Sequence, residues 1–252
     1  YDTDLDRSLV ALDGHEVVGM ALLSVRGPPG GVCGVGVAPT RRRRGIGRLL
    51  MERLLENAAR AGLTEVRREV IVENVAARRL YADLGFRETR ELLMWRRSAE
   101  ADALPIPAER LVKADPFALL AYADHWHGQP VTWQRAAATL AHMAADGRLQ
   151  GYRLDMAGAM AAYGLVSGQS GATLALLDIG IDPTGDIVTP GRILLQALSH
   201  LHWGKAMTIS NVPADDPLNR VLAALRFLVT IRQVEMRLIN EVLPAGSYDN
   251  AL

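Results

Sequence analysis

The sequence has one cysteine, Cys33, among 252 residues. That excludes a disulfide framework and any multi-cysteine metal site, and it fits a reducing, cytoplasmic setting. No apolar run reaches the roughly 18 residues of a membrane span, and no signal-peptide pattern opens the chain. Lysine is scarce, with two Lys against 26 Arg, as codon bias in a GC-rich genome or thermal adaptation would give. Excess charge is absent as well: 28 basic residues meet 28 acidic ones, which argues against a general nucleic-acid or membrane-surface binder. The chain opens at Tyr1 with no initiator methionine, so residues are expected ahead of it.

What is present is globular composition, 49% hydrophobic and 22% charged, long enough for one large domain or two ordinary ones. The zero charge is an average. Residues 1–100 hold 17 Arg and no Lys against 14 acids, a net of +3, and residues 101–252 carry a net of −3. A break is expected after Trp95-Arg96-Arg97, where residues 98–107, rich in small and polar side chains and with two prolines, read as a linker. The expected domains are therefore 1–97 and 108–252.

The first segment alternates strands and helices. Residues 8–12 and 17–26 read as strands around an Asp13-Gly14 turn. After Gly27-Pro28-Pro29-Gly30 comes a strand over 31–37, and Pro39 ends it because it cannot continue a ladder. Leu50, Leu54, Ala58 and Ala61 recur at helical spacing over 47–61, with Leu49, Met51 and Leu55 widening the stripe and Gly62 as C′ residue. A strand over 65–72, a helix over 75–84 and a strand over 86–95 follow. The order implies an α/β (α+β) sandwich.

The sharpest feature is Val35-Gly36-Val37-Ala38-Pro39-Thr40-Arg41-Arg42-Arg43-Arg44-Gly45-Ile46-Gly47-Arg48. A strand stops at proline, a basic loop turns on two glycines, and an amphipathic helix begins. Unpaired N–H groups and the positive dipole end at a helix start suit a polyanion, with a pyrophosphate the natural occupant. The glycine pattern is neither a nucleotide P-loop nor the dinucleotide fingerprint. Taken alone, four arginines also fit a solvated turn or a nucleic-acid patch. A second block, Asn74 to Gly85-Phe86, puts Tyr81 on the same helix face as Ala77 and stops the helix at Gly85.

Together the two blocks resemble the GNAT superfamily of N-acetyltransferases. Arg42-Arg43-Arg44-Gly45-Ile46-Gly47 matches the family's acetyl-CoA signature, and Asn74, Tyr81 and Gly85-Phe86 match its second cofactor motif. The resemblance implies that backbone amides from Arg43 to Arg48 cradle the CoA pyrophosphate, with Arg42 or Arg44 adding a contact. It implies that Val35 and Val37 pair with the pantetheine arm, and that Tyr81 protonates the leaving thiolate. Alternatively, Tyr81 only packs its helix on the sheet. Many relatives carry a glutamate on the cofactor strand; residues 31–37 contain no acid, so the base is unassigned among Glu69, Glu73 and the turn residue His15. Cys33 reads as a small buried hydrophobe rather than a nucleophile.

The second half repeats the first. Ile181-Asp182-Pro183 aligns with Val37-Ala38-Pro39 and Gly191-Arg192 with Gly47-Arg48, while Asp186 replaces Arg42 and Leu222 falls at the place of Tyr81. Asp186 and Pro190, which removes a loop N–H, read as loss of the cofactor site. The second copy also has an opening that the first lacks: a strand over 111–114 and helices over 116–125 and 133–145. Asp124-His125-Trp126-His127 and the His200, His202 and Trp203 group invite a metal reading, but adjacent residues diverge on a helix. A helix end lining a cleft, or plain surface, is the expectation, with no metal. The expected protein is thus a tandem GNAT-like acetyltransferase, a monomer or homodimer acting on a small-molecule amine; a non-catalytic acyl-CoA sensor is the alternative.

Overall fold

The computed structural model describes residues 3–25, 30–101, 104, 105, 107, 111–168 and 170–239. By packing, the chain divides into a first unit, Tyr1–Thr89 with Glu235–Leu252, and a second, Arg90–Val234. The division expected from composition, at 98–107, differs from this one.

The first unit contains strands β1 (Asp4–Asp13), β2 (Glu16–Ser24) and β3 (Gly30–Val37), then helix α1 (Ile46–Arg60), β4 (Glu65–Ile71) and α2 (Val75–Asp83). The β1–β2 turn falls at Gly14-His15, with Asp13 opposite Glu16 and His15 exposed. The 27–29 loop lies outside the described residues. Helix α1 forms because Leu50, Met51, Leu54, Leu55 and Ala58 share one face, and all five are buried. Each larger side chain contributes about 1.5–3 kcal/mol against exposure. Leu49, expected in the stripe, is 56% exposed. The helix ends as expected: Gly62 takes φ +74°, and Leu63 N–H donates back to Ala58 O at 3.1 Å.

The next strand, β5 (Arg87–Arg97), begins in the first unit and has residues 90–97 in the second. The second unit continues with β6 (Leu111–Ala114), α3 (Pro116–Leu120), α4 (Ala123–Trp126), α5 (Ala137–Ala145), β7 (Gln150–Met156), β8 (Ala159–Ser167), β9 (Thr173–Ile181), α6 (Val188–Leu201), β10 (Ala206–Pro213) and α7 (Leu218–Ala224). The last strand, β11 (Leu228–Ile239), has residues 235–239 in the first unit. From β7 onward this order reproduces β1 to β5, and β6, α3, α4 and α5 have no counterpart among the described residues of the first unit.

Within the first unit the strand order is β1-β2-β3-β4-β11, and within the second it is β5-β10-β9-β8-β7-β6. Each unit's sheet is completed by a strand from the other half of the sequence. Side chains fix these placements. Thr89 Oγ1 donates to Glu235 O at 3.1 Å in the first unit. In the second, Trp95 Nε1 donates to Asn219 Oδ1 at 2.9 Å and Thr230 Oγ1 to Met94 O at 3.2 Å.

Two expected helices are broken. Residues 116–125 divide into α3 and α4. Residues 133–145 divide into a 3₁₀ turn (Trp133–Arg135) and α5, because Ala136 is extended at ψ 144°. The break lets Arg135 turn inward and donate to the buried Asp178 carboxylate at 2.9 Å, so a tertiary ion pair overrides helical periodicity.

Candidate active site

The site grows from an irregularity in β3. Val32 faces Leu23 and Gly34 faces Leu22 on β2, which leaves Cys33 as the extra residue of a bulge. Pairing of β3 with the parallel β4 is confined to Gly30 opposite Val66 and Gly31 opposite Arg67. Beyond those residues the two strands run on without a ladder, opening a cleft in the sheet. Ala38 N–H donates to Val18 O at 2.9 Å, on the β2 side. By alternation the N–H and C=O groups of Val35 and the N–H of Val37 face the open edge, while the Val37 carbonyl accepts from Arg42. An extended ligand with amide groups could add there as a strand does. The Cys33 thiol lies half-buried in the bulge, 4.0 Å from Gly31 O.

A 3₁₀ turn (Pro39–Arg41) and the basic loop join β3 to α1. Gly45 is the N-cap at φ +83°, a conformation that a side chain resists, and α1 has no side-chain cap and no acid in its first turn. The first intrahelical bond runs from Leu49 N–H to Gly45 O at 3.0 Å, so earlier N–H groups are open to an anion. At Gly47 a Cβ would lie 3.7 Å from Leu80 and Val37, so packing does not demand glycine there, although close approach of a ligand would.

The arginines divide the work. Arg41 pairs with Asp13 at 2.9 Å and Glu16 at 3.4 Å, anchoring the loop. Arg42 Nε donates to Val37 O at 3.1 Å, and Arg48 pairs with Asp83 at 2.9 Å. Arg43, at φ +62°, and Arg44 are exposed. Of the residues expected around a pyrophosphate, Arg43, Arg44, Gly45 and Gly47 therefore lie at the open helix end, while Arg42 and Arg48 are engaged by the chain. Asn74 Oδ1 accepts from Ala77 N–H at 3.2 Å, capping α2.

Tyr81 is buried on α2, its ring edge-on to Phe86 at 5.9 Å. The Arg68 guanidinium lies 4.1 Å from the centre of the Tyr81 ring. The phenol hydroxyl makes no hydrogen bond among the described residues. Burial raises its pKa, and the Arg68 charge offsets part of that, so the phenol keeps its proton at neutral pH. Sequence reading missed Arg68, a long cation on a short strand with nothing local to mark it. Its Nε and Nη1 are buried without hydrogen-bond partners. Glu69 lies on the opposite face of β4 from Arg68, and Glu73 is exposed in the turn after the strand rather than on it.

The second unit has the same frame with different contents. Its bulge falls at Leu177, and β9 pairs with β10 only from Thr173 to Leu176. Phe227 N–H donates to Leu222 O at 3.1 Å as Phe86 N–H does to Tyr81 O at 3.0 Å, and Arg226, at φ +62°, stands where Gly85 stands. Asp186 accepts from Val188 N–H at 2.8 Å and Thr189 N–H at 3.3 Å, occupying the groups that α1 leaves open. Pro190, expected to remove a loop N–H, lies in the first turn of α6 instead, where its missing donor costs nothing.

Behind this frame Asp178 is fully buried and receives Arg135 at 2.9 Å, His127 at 3.0 Å and the Tyr163 hydroxyl at 2.7 Å. Burial alone would raise its pKa, but His127, Arg135 and Tyr163 outweigh it and hold it at about 2. The folded value lies below the unfolded one, near 3.9, so this contribution is complete above about pH 4 and is lost as pH falls toward 2. Denaturant titrations should show stability declining through that window. Asp178→Asn should remove that decline and cost about 3–5 kcal/mol at pH 7, because Arg135 is left buried without its counter-charge.

The acetyltransferase (GNAT) family model matches residues 1–86. Members of this family use acetyl-CoA as the acetyl donor. The GNAT likeness extends over the whole chain at the level of fold. A tandem GNAT protein from the clavulanic acid biosynthesis pathway aligns with 95% of this chain and 83% of its own, at 22% identity and a TM-score of 0.66. A GCN5-related N-acetyltransferase from Sphaerobacter thermophilus aligns over 91% and 79%, at 18% identity and a TM-score of 0.66. No protein with a curated description matches by sequence. The described residues contain no cluster of three or more potential metal ligands, and no helix among them is long and apolar enough to cross a membrane.

Proposed function

We propose that the GNAT unit transfers the acetyl group of acetyl-CoA to a primary amine of a small molecule, with Tyr81 as general acid. The contrast between the two copies carries this reading. One copy has an open helix end with exposed arginines and a phenol beside the splayed strands; in the other the same positions hold a capping aspartate and Leu222. The second copy is then a degenerate partner without cofactor chemistry.

The amides from Arg43 to Arg48 hold the pyrophosphate, with Arg43 and Arg44 adding charge from the solvent side. The open N–H and C=O of Val35 and the N–H of Val37 align the pantetheine arm so that the thioester enters the cleft. The amine nitrogen, neutral when it attacks, bonds to the thioester carbonyl carbon and sheds a proton to water; the carbon–sulfur bond breaks, and Tyr81 gives its proton to the departing sulfur and regains one from solvent. Arg68, over the phenol ring, steadies the phenolate left behind. With no carboxylate on β3, an acceptor whose amine pKa is already low is the best match.

Arg68→Met should lower kcat about tenfold. Because Arg68 holds the phenol pKa down, its loss should also move the alkaline limb of the rate profile to higher pH. The overall reading is tested by free-thiol release from acetyl-CoA over a panel of primary amines. Release that depends on one amine class supports the enzyme. Tight binding with no release by any amine would leave a non-catalytic acyl-CoA sensor.

A further inference from the structure

The second unit contains a cavity of about 390 Å³, within the range that small-molecule sites occupy. It lies beside the splayed part of β9. Ile179, Ile181 and Trp126 line it, together with Ile187 and Leu218 at the starts of the following helices. Trp126 is held there by stacking on Tyr163 at 5.7 Å. These walls are apolar.

The polar groups converge at one place. His127 and Arg135 both line the cavity, and both are tied from behind to Asp178. Arg135 is 5% exposed, and its Nε–H is buried with no hydrogen-bond partner. A buried cationic donor without an acceptor is costly, so an acceptor that reached it from the cavity would be favoured. Asp178 already accepts from Arg135, His127 and Tyr163. The cavity is therefore lined by the Arg135 guanidinium, which has one N–H without an acceptor, and by the His127 ring, whose Nε2 is bound to Asp178. Asp216 also lines the cavity and accepts from Leu218 N–H at 2.8 Å. A second negative charge on the ligand would meet that carboxylate, which favours a monoanion over a phosphate.

We propose that this cavity is a binding site for a small monocarboxylate with an apolar body, its carboxylate on Arg135 beside His127 and its body against Ile179, Ile187 and Trp126. The site stands apart from the acetyl-transfer reading, since none of its residues belongs to the acetyl-CoA cradle. Its polar floor also answers why a copy without cofactor chemistry keeps a buried ionic cluster. Apolar side chains of like volume would be equally stable in a merely structural core.

The test uses the full chain and saturation-transfer NMR with hexanoate and 3-phenylpropionate, set against hexanamide and hexylamine. At least one carboxylate should bind saturably and at least tenfold more tightly than the amide or the amine. Two variants should each weaken it at least tenfold while acetyl-CoA affinity is unchanged: Ile187→Trp, which fills the cavity, and His127→Gln, which removes the imidazole but can still donate to Asp178. Arg135 is avoided as a target because its loss would strand the Asp178 charge. The proposal is overturned if neither carboxylate binds, if the amide or amine binds as well as the acid, or if Ile187→Trp leaves binding intact in a protein with an unchanged melting profile.

Discussion

Tyr81→Phe should lower kcat by about 10²–10⁴-fold and leave the half-saturating acetyl-CoA concentration unchanged. The expectation follows from what the substitution keeps. Phenylalanine retains the ring that packs edge-on to Phe86 and lies under the Arg68 guanidinium. Helix α2 keeps its Asn74 cap. Only the hydroxyl is lost, and it has no hydrogen bond among the described residues to break. Stability should therefore hold, and the loss should fall on the step in which sulfur takes a proton. Burial raises the phenol pKa, so the wild-type enzyme should keep its acid form well above neutral pH. Steady-state rates and melting profiles of the two proteins check this. An unchanged kcat would mean that Tyr81 only packs its helix.

Gly45→Glu should raise the half-saturating acetyl-CoA concentration by about 100-fold or more. Two effects combine. The N-cap position requires φ +83°, which costs a side chain about 1–2 kcal/mol. The new carboxylate would also occupy the helix end where the pyrophosphate belongs. Gly45→Asn separates them, since asparagine tolerates that backbone and brings no charge, so it should lose far less. Thr189→Glu, at the matching place in α6, should change nothing, because Asp186 already occupies those N–H groups. Equal losses at Gly45 and Thr189 would assign the cradle to the wrong half.

Much of the first unit was legible because its signals are local. Pro39 stops β3, Gly62 closes α1, and the five-residue apolar face of α1 has helical spacing. The repeat was legible too, since Gly191-Arg192 aligns with Gly47-Arg48 without a gap. The cap by Asp186 has a local signal as well, an aspartate just before an apolar helix.

What stayed hidden is non-local. Alternation identifies β5 and β11 as strands but cannot say that each completes the sheet beside the other half's strands. Arg135 breaks a helical run to reach Asp178, more than forty residues away, and no window along the sequence contains both. The same holds for Arg68, whose importance comes from a ring on another element. The cleft itself depends on the bulge at Cys33, which a glycine-rich strand permits but does not announce.

Isothermal titration of the intact chain with acetyl-CoA tests the central claim most directly, since that claim is one working cradle in a doubled fold. Saturable binding of one acetyl-CoA per chain is expected, lost in Gly45→Glu and kept in Thr189→Glu. Two molecules per chain, or one that survives Gly45→Glu, would contradict it.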